Sequence, residues 1–428
     1  YMTLALPVVL GMVVSLIYNM VDTFFIARTG NTALIAGVSL GTPIFTLMIA
    51  LGDIFGVGGS SVISRLFGKK EYEDGRRISV FCFYAAIAVG IVVSIILLAA
   101  KQPILGLLGC DETTWQYAGD YYQWIALGAP FIILQLTPNN LLRTEGFAKA
   151  SMIGTMLGAV VNIILDPIFI FGFGLGIEGA AIATALSMCI SSVLVIRHFR
   201  SPSNILKLQS KCFSPRFPIL VSIVGIGMAA FIMNITTGMV NIIMNRYLEN
   251  NGGDYAIGAY GIISSYSIQV SMLLMGICQG MQSVIGYFYA AGHRQMTLHI
   301  LRKAIRTGSL IACCGFIIGE AFAPWLVKAF TSDPTLLQLS EEGLRYTFLA
   351  MPLLGFQLIV TSYFQSIRQA PKAITMNISR QFLFLIPALG LFSHWWGLTG
   401  IWQAIPFADL MATLIALFFL WRTDRKAD

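Results

Sequence analysis

Long apolar runs alternate with short polar stretches along almost the whole chain, and this alternation predicts its main structural elements. A membrane-spanning helix needs about 17–25 predominantly apolar residues. A membrane β-barrel would instead show alternating segments of about ten residues. The pattern therefore predicts an all-α integral membrane bundle of twelve transmembrane helices. The predicted spans are 1–27, 33–64, 78–100, 117–142, 150–173, 178–198, 217–248, 256–290, 303–327, 344–367, 373–396 and 399–421.

The overall composition agrees with a membrane protein. Hydrophobic residues make up 57% of the 428 positions and charged residues 11%, which lies far outside the range of soluble globular domains. The seven cysteines show no spacing typical of a metal site or of paired disulfides. The chain opens with Tyr1 inside an apolar run and without an initiator Met, so we expect further residues before it.

The basic residues explain the net charge of +7 through topology. Of the 27 lysines and arginines, 22 fall in alternate loops, and positively charged loops face the cytoplasm. We therefore expect both termini in the cytoplasm and no nucleic-acid partner. The basic stretches are 65–77, 143–149, 197–216, 294–306, 368–380 and 422–426.

Three short matches between the two halves suggest an internal repeat, a common feature of transporters. They keep an offset of 221, 222 and 223 residues. The pairs are 176–181 with 397–402, 61–64 with 283–286, and 148–152 with 371–375.

The repeat predicts two pseudo-symmetric lobes. Six predicted helices separate the copies, so the halves have the same orientation in the membrane. The expected organisation is an N-terminal six-helix lobe at 1–199, a polar cytoplasmic linker at 200–216, and a C-terminal six-helix lobe at 217–428.

Two acidic residues, Asp22 and Asp166, lie inside predicted spans. An ionisable group at mid-membrane depth costs about 2.5–3.5 kcal/mol and usually marks an ion or substrate path. Asn162 precedes Asp166 by one helical turn, so both share a helix face. Pro167 has no N–H, which leaves the carbonyl of Ile163 open as a further oxygen ligand. These hard oxygen ligands suit Na⁺, and poorly solvated carboxylates could instead carry protons.

Five motifs together carry a family resemblance. The chain resembles the multidrug and toxic compound extrusion (MATE) transporters over essentially its whole length. The motifs are Val-Asp-Thr-Phe-Phe (21–25), Ser-x-x-x-Arg-x-x-Gly-Lys (61–69), Arg-x-x-Gly-x-x-Lys (143–149), Asn-x-x-x-Asp-Pro (162–167) and Gly-x-x-Gly-Ala-Ala-x-Ala-Thr (176–184).

Within that family the chain most resembles the DinF branch. The NorM-like branch relies on further acidic residues in helices 7 and 10, whereas spans 217–248 and 344–367 contain no intramembrane carboxylate. The resemblance implies an ion site, for H⁺ or for a monovalent cation such as Na⁺, and no other metal. Its residues would be Asp22, Asn162, Asp166 and Thr184.

The resemblance also implies that helix 1 bends at Pro7, which would serve as a hinge. A third buried acid, Asp53, has no role in the family pattern. It could face the cavity and recognise cations, or it could serve as a structural hydrogen-bonding group. Asp409 is expected to be structural, and Arg380 is expected to extend to the cytoplasmic edge.

Each residue of the implied site also has a purely structural interpretation. Asp22 could lie in the outer headgroup layer, six residues before Arg28. Asp166 could be a satisfied packing carboxylate. Asn162 and Thr184 could simply join helices, as polar side chains often do in membranes.

The sequence as a whole predicts a monomeric antiporter in the bacterial inner membrane. It would export amphipathic, cationic organic compounds in exchange for H⁺ or Na⁺ by alternating access, without a prosthetic cofactor. The alternative is a flippase for lipid-linked precursors, which would need fourteen helices and a basic cavity. An enzyme is not expected, because the four histidines lie near span ends.

Overall fold

The computed structural model describes residues 6–7, 9–11, 13–14, 17, 32–107, 115–198, 217–328, 333–367 and 369–427. In these ranges every regular element is helical. From Thr32 onwards, the first eight helices are α1 (Thr32–Gly68), α2 (Tyr72–Ala99), α3 (Lys101–Leu107), α4 (Trp115–Leu127), α5 (Ala129–Thr144), α6 (Ala148–Pro167), α7 (Ile177–His198) and α8 (Phe217–Ala290).

Seven further helices complete the described chain. They are α9 (Arg294–Ala321), α10 (Ala323–Lys328), α11 (Pro334–Thr347), α12 (Met351–Ser366), α13 (Ala370–Ile378), α14 (Ile386–Trp396) and α15 (Leu398–Ala427). Short segments of other helix types connect some of them: π-helical turns at Ile168–Gly172 and Ser379–Leu385, and a 3₁₀ turn at Phe348–Ala350.

Ten helical stretches of the described residues are long and apolar enough to cross a membrane, and an eleventh forms if the bent pair α4 and α5 is counted as one span. The angle between α4 and α5 is 49°. These eleven correspond to eleven of the predicted spans and confirm the all-α membrane fold. The remaining prediction, 1–27, lies largely outside the described residues, so the count of twelve stays a prediction.

Two helices begin well before their predicted apolar spans. Helix α9 begins at Arg294. Its first turns are amphipathic: the side chains of Arg302, Lys303 and Arg306 are exposed, while the apolar face is buried. Helix α11 begins at Pro334, directly after Asp333, whose carboxylate accepts a hydrogen bond from the Thr335 N–H at 3.0 Å. A search for apolar runs alone places the start of such a helix too late, because the first turns are amphipathic.

The chain separates into two compact units. The first unit contains residues 1–234 and 286–292, and the second contains 235–285 and 293–428. The predicted linker at 200–216 lies outside the described residues, so the predicted lobe boundaries are not tested by this division.

Close packing in the first unit brings α1 against the beginning of α8. Gly58 faces the carbonyl of Ile223, and Gly227 faces the carbonyl of Ile54. A side chain at either glycine would overlap the facing backbone, so both positions need the smallest residue. This approach places Asp53 of α1 opposite the part of α8 in which Asn234 lies.

The second unit has its own apolar core around Trp402, which is 1% exposed. Met244, Leu248 and Ala256 of α8 pack in this core together with residues of α10, α11, α12, α14 and α15. In α8, Gly253 has φ 65° and interrupts the helix, a conformation that glycine adopts without a Cβ clash.

Candidate functional site

The structure describes five of the six residues predicted to have a function. Asp22 lies outside the described residues. Three of the five, Asn162, Asp166 and Thr184, belong to two neighbouring helices, α6 and α7, in the first unit. Pro7 is a half-buried helical residue, and its role as a hinge stays a prediction.

Asn162 and Asp166 form a buried pair on α6. Asn162 is 2% exposed and Asp166 1% exposed, so both groups depend on the protein for their hydrogen bonds. With its amide nitrogen facing the carboxylate, Asn162 donates to both oxygens of Asp166 at 3.0 and 3.2 Å. The predicted sharing of one helix face is therefore confirmed.

Helix α6 ends in an irregular turn directly after this pair. Pro167 cannot donate a backbone hydrogen bond, so the carbonyl of Ile163 lacks the donor that residue 167 would normally supply. The chain continues as a π-helical turn, Ile168–Gly172, closed by the Phe173 N–H on the Ile168 carbonyl at 2.9 Å. Single π turns are frequent at functional sites.

The packing of α6 against α7 determines where Thr184 lies. At one end of the contact, Gly158 faces Ser187 and Ser191; at the other, Gly179 faces the backbone of Phe169. The helices are antiparallel along this contact. Thr184 lies between Gly179 and Ser187 on α7, at the level of the stretch that runs from Gly158 of α6 to Phe169 in the turn after it.

That stretch of α6 carries Asn162 and Asp166, so Thr184 and the pair lie at the same depth. Thr184 is 7% exposed and donates its hydroxyl hydrogen to the carbonyl of Ala180 at 3.0 Å. Its oxygen lone pairs remain available as acceptors. A carboxylate, a hydroxyl and a backbone carbonyl of this kind are suitable ligands for H⁺ or for a hard monovalent cation.

Asp53 belongs to a different cluster of the first unit. Its carboxylate accepts a hydrogen bond at 3.2 Å from the side-chain amide of Asn234 on α8. It also interacts electrostatically with Arg143 near the end of α5. Arg143 in turn donates to the side-chain oxygen of Asn140 at 2.8 Å. Asp53 therefore connects three helices through polar contacts.

The sequence did not indicate these partners of Asp53. Arg143 was assigned to a cytoplasmic loop, yet it is 9% exposed within α5, and Arg65 is 5% exposed within α1. Both lie near helix ends, as the charge pattern predicted, but their side chains turn inward. Arg143 does belong to one of the motifs that carry the family resemblance, and that was the available signal for its importance.

The second unit contains a partly buried ion pair that also differs from expectation. Arg380 does not extend to the cytoplasmic edge; its Nε atom donates to Asp409 at 2.7 Å. Their side chains are 27% and 7% exposed. The prediction for Arg380 was wrong because pairing with a nearby carboxylate is more favourable than extending the side chain to the membrane interface.

These features define a class of protein: a multi-pass membrane transporter built from helices with buried polar clusters. The sequence model of the MatE family matches residues 7–168 and 229–389, well over half of the chain. The two matches begin 222 residues apart and end 221 residues apart, in agreement with the offset of the internal repeat.

Known relatives and solved structures lead to the same family. Multidrug export protein MepA of Staphylococcus saprophyticus is 31% identical over 420 residues, covering 98% of this chain and 92% of the relative. Multidrug export protein MepA of Staphylococcus aureus strain NCTC 8325 is 31% identical over 423 residues, with the same two coverages.

Two solved structures superpose closely. One is an outward-facing multidrug resistance MATE family transporter of the MOP superfamily, with a TM-score of 0.93, 26% identity, and coverage of 99% of this chain and 94% of that chain. The other is a MOP superfamily transporter from Pyrococcus furiosus, with a TM-score of 0.94, 25% identity and the same coverages. The chain belongs to the MatE family of transporters, and it is not an enzyme.

Proposed function

We propose that this chain is a secondary antiporter that exports amphipathic, cationic organic compounds in exchange for H⁺ or Na⁺. The observation that carries the proposal is the buried pair of Asn162 and Asp166 at the level of Thr184. An ionisable group in an apolar bundle costs free energy and usually marks an ion or substrate path. The multidrug export proteins among the relatives support export of drug-like compounds.

The proposed architecture is that of the DinF-like branch: twelve helices in two six-helix lobes, 1–199 and 217–428, joined by the linker at 200–216. The constant offset of the two family matches supports this duplication. The basic loops support a place in the bacterial inner membrane with both termini in the cytoplasm. We propose a monomer as the working unit.

The pair of Asn162 and Asp166 supports a site that can be empty or occupied. With its nitrogen facing the carboxylate, the Asn162 amide stabilises the ionised Asp166 through two hydrogen bonds. A proton or a cation that binds at Asp166 neutralises this charge. Binding of the ion then changes the contacts of α6, which can favour one of two transporter conformations.

Three further residues complete the proposal. Asp22 contributes a second carboxylate to the ion site from the first predicted span, and Pro7 allows that span to bend. Asp53 lies in the separate cluster with Asn234 and Arg143, where its negative charge favours binding of the cationic group of a substrate.

The experiment uses purified protein in DNA-loaded liposomes and measures ethidium transport under an imposed proton or sodium gradient, one at a time. We expect one of the two gradients to drive transport by the wild type. Asp166→Asn and Asp22→Asn should reduce gradient-driven transport at least ten-fold. Thr184→Val should reduce it as well, whereas Thr184→Ser, which keeps the hydroxyl, should retain most of it.

The matched control is Ser191→Ala. Ser191 lies on the same face of α7, two turns from Thr184, and its hydroxyl donates to the carbonyl of Gly154 at 3.1 Å. This change removes a buried hydroxyl from the same helix contact without touching the proposed ligands, so transport should remain near the wild-type rate. Undiminished transport by Asp166→Asn and Asp22→Asn would contradict the assignment of the ion site.

The flippase alternative makes a different prediction in the same liposomes. A flippase would move a fluorescent lipid-linked sugar across the bilayer and would be inhibited little by ethidium. The drug-exporter names of the relatives favour export, and we expect no lipid movement above that of protein-free liposomes.

A further inference from the structure

The ion pair of Arg380 and Asp409 lies near mid-membrane depth in the second unit. Arg380 is 10 residues from one end of the span Ala370–Trp396 and 16 from the other. Asp409 is 11 residues from one end of the span Leu398–Arg425 and 16 from the other. At about 1.5 Å per residue, both lie about 15 Å or more from the span ends, close to half of a hydrocarbon core of about 30 Å.

The two partners of this pair are not equally enclosed. The side chain of Asp409 is 7% exposed and that of Arg380 is 27% exposed. A guanidinium carries five N–H donors, and Arg380 uses only its Nε hydrogen on Asp409. Among the described residues, the four remaining N–H groups of Arg380 have no hydrogen-bond partner. Donors at this depth cannot be left to lipid, so they need water or a ligand.

Asp409 is held firmly enough to orient the guanidinium. The side-chain amide of Gln357 on α12 donates to the Asp409 carbonyl at 2.6 Å and to the Thr413 hydroxyl at 2.9 Å. These contacts fix the turn of α15 that carries Asp409. With Nε anchored on this carboxylate, the two terminal nitrogens of Arg380 form a preoriented fork.

The surroundings of the fork are polar as well. Tyr260 of α8 lies within electrostatic range of Arg380. The Tyr260 hydroxyl donates to the side-chain oxygen of Asn241 at 3.4 Å, a long bond that a stronger acceptor could replace. Asp409 is the acidic group paired with Arg380, and its charge is already used. An incoming anion therefore meets Arg380 with the paired carboxylate already held on its Nε atom.

We propose that Arg380 binds the carboxylate of amphoteric organic substrates, with Asp409 as its positioning residue. A guanidinium fork and a carboxylate match as two parallel, charge-assisted hydrogen bonds. This inference rests on the proposed export function and specifies its substrate class: compounds that carry a carboxylate in addition to a cationic aromatic body. Arg380 determines specificity by binding the anionic group of the substrate, and the positive charge of the substrate takes no part in this contact.

Two dyes that differ by a single methyl ester provide the test. Rhodamine 110 carries a free carboxylate, and rhodamine 123 is its methyl ester. Their affinities are measured by fluorescence anisotropy for the full chain in nanodiscs, with empty nanodiscs as the blank. Hydrogen bonds to charged groups contribute about 1.5–3 kcal/mol, so we expect Arg380→Gln/Asp409→Asn to weaken rhodamine 110 binding about ten-fold or more. Rhodamine 123 binding should change less than about two-fold.

Two further variants separate recognition from folding. Arg380→Lys keeps the charge and can still pair with Asp409 but lacks the fork, so its loss for rhodamine 110 should be intermediate. Arg345→Gln/Glu341→Gln removes an exposed ion pair of the same unit, whose atoms are 3.1 Å apart, and should change neither dye.

The possible outcomes distinguish the two levels of the proposal. If the double variant weakens both dyes equally, or neither, Arg380 does not recognise the carboxylate, while the export function stands. If the wild type transports ethidium but binds neither rhodamine, this inference fails while the export function stands. If neither gradient drives ethidium transport by the wild type, the proposed function fails and this inference fails with it.

Discussion

Replacing Gly158 with alanine should force α6 away from α7 at the level of the candidate site. A Cβ at this position would lie 2.9 Å from the Cβ of Ser191 and 3.3 Å from its hydroxyl oxygen. Carbon atoms pack at about 3.5–4.0 Å, so the helices would have to separate by roughly 0.6 Å or more. Overpacking of this kind costs about 1–3 kcal/mol, and it acts one helical turn from Asn162.

A second substitution on the facing helix makes this prediction specific. Ser191→Gly removes the atoms that the added methyl group at position 158 would overlap, at the loss of one hydrogen bond to Gly154, worth about 1 kcal/mol. Gly158→Ala/Ser191→Gly should therefore be more stable than the sum of the single changes predicts, by about 1 kcal/mol or more. Ser191→Ala keeps the Cβ and should give no such recovery.

The assay is denaturant unfolding of purified protein in detergent, combined with ethidium transport in liposomes. Gly225→Ala is the control, because no heavy atom lies within 4 Å of its added Cβ. Either of two results would refute the packing of α6 on α7 described above. One is that Gly158→Ala is as stable as Gly225→Ala; the other is that Ser191→Gly and Ser191→Ala restore the stability of Gly158→Ala equally.

Two further predictions concern the other polar clusters. Asp409→Asn leaves the guanidinium of Arg380 without its counter-charge and should destabilise the protein by about 3 kcal/mol, the lower end for a broken buried pair, whereas Arg380→Gln/Asp409→Asn should cost less. Denaturant unfolding compares the two variants, and equal stability would show that the unpaired charge of Arg380 carries no extra cost. Asp53→Asn keeps a side chain that can bond to Asn234 but removes the negative charge, so ethidium binding should weaken about five-fold, the equivalent of about 1 kcal/mol; an unchanged ethidium affinity by anisotropy would assign Asp53 a structural role.

The helical spans could be predicted because length and apolarity are local properties of the sequence. The pairing of Asn162 with Asp166 was predictable for the same reason, since one helical turn separates them. The early beginnings of α9 and α11 were missed because their first turns are amphipathic, and an apolar window does not register a helix with one charged face.

The partners of the buried charges could not be predicted from the sequence. Asn234 is 181 residues from Asp53, and nothing local connects them. Asp409, the partner of Arg380, lies 29 residues further along the chain. The depth of Arg380 in its own span therefore led to a wrong prediction of where its side chain extends. Charge counts placed Arg143 at the correct end of its helix but could not show that its side chain turns inward. Thr184 was indicated only by family resemblance, and its level relative to Asp166 follows from how α6 packs on α7.

Ion flux driven by a drug gradient tests most directly whether Asp166 carries the coupling ion. Liposomes containing the transporter are given an ethidium gradient and no ion gradient, while a pH-sensitive dye and radiolabelled Na⁺ report the counter-movement of both ions. The wild type should move one of these ions against ethidium, and Asp166→Asn should move neither while still binding ethidium. Movement of the same ion, in the same ratio to ethidium, by Asp166→Asn would contradict the account.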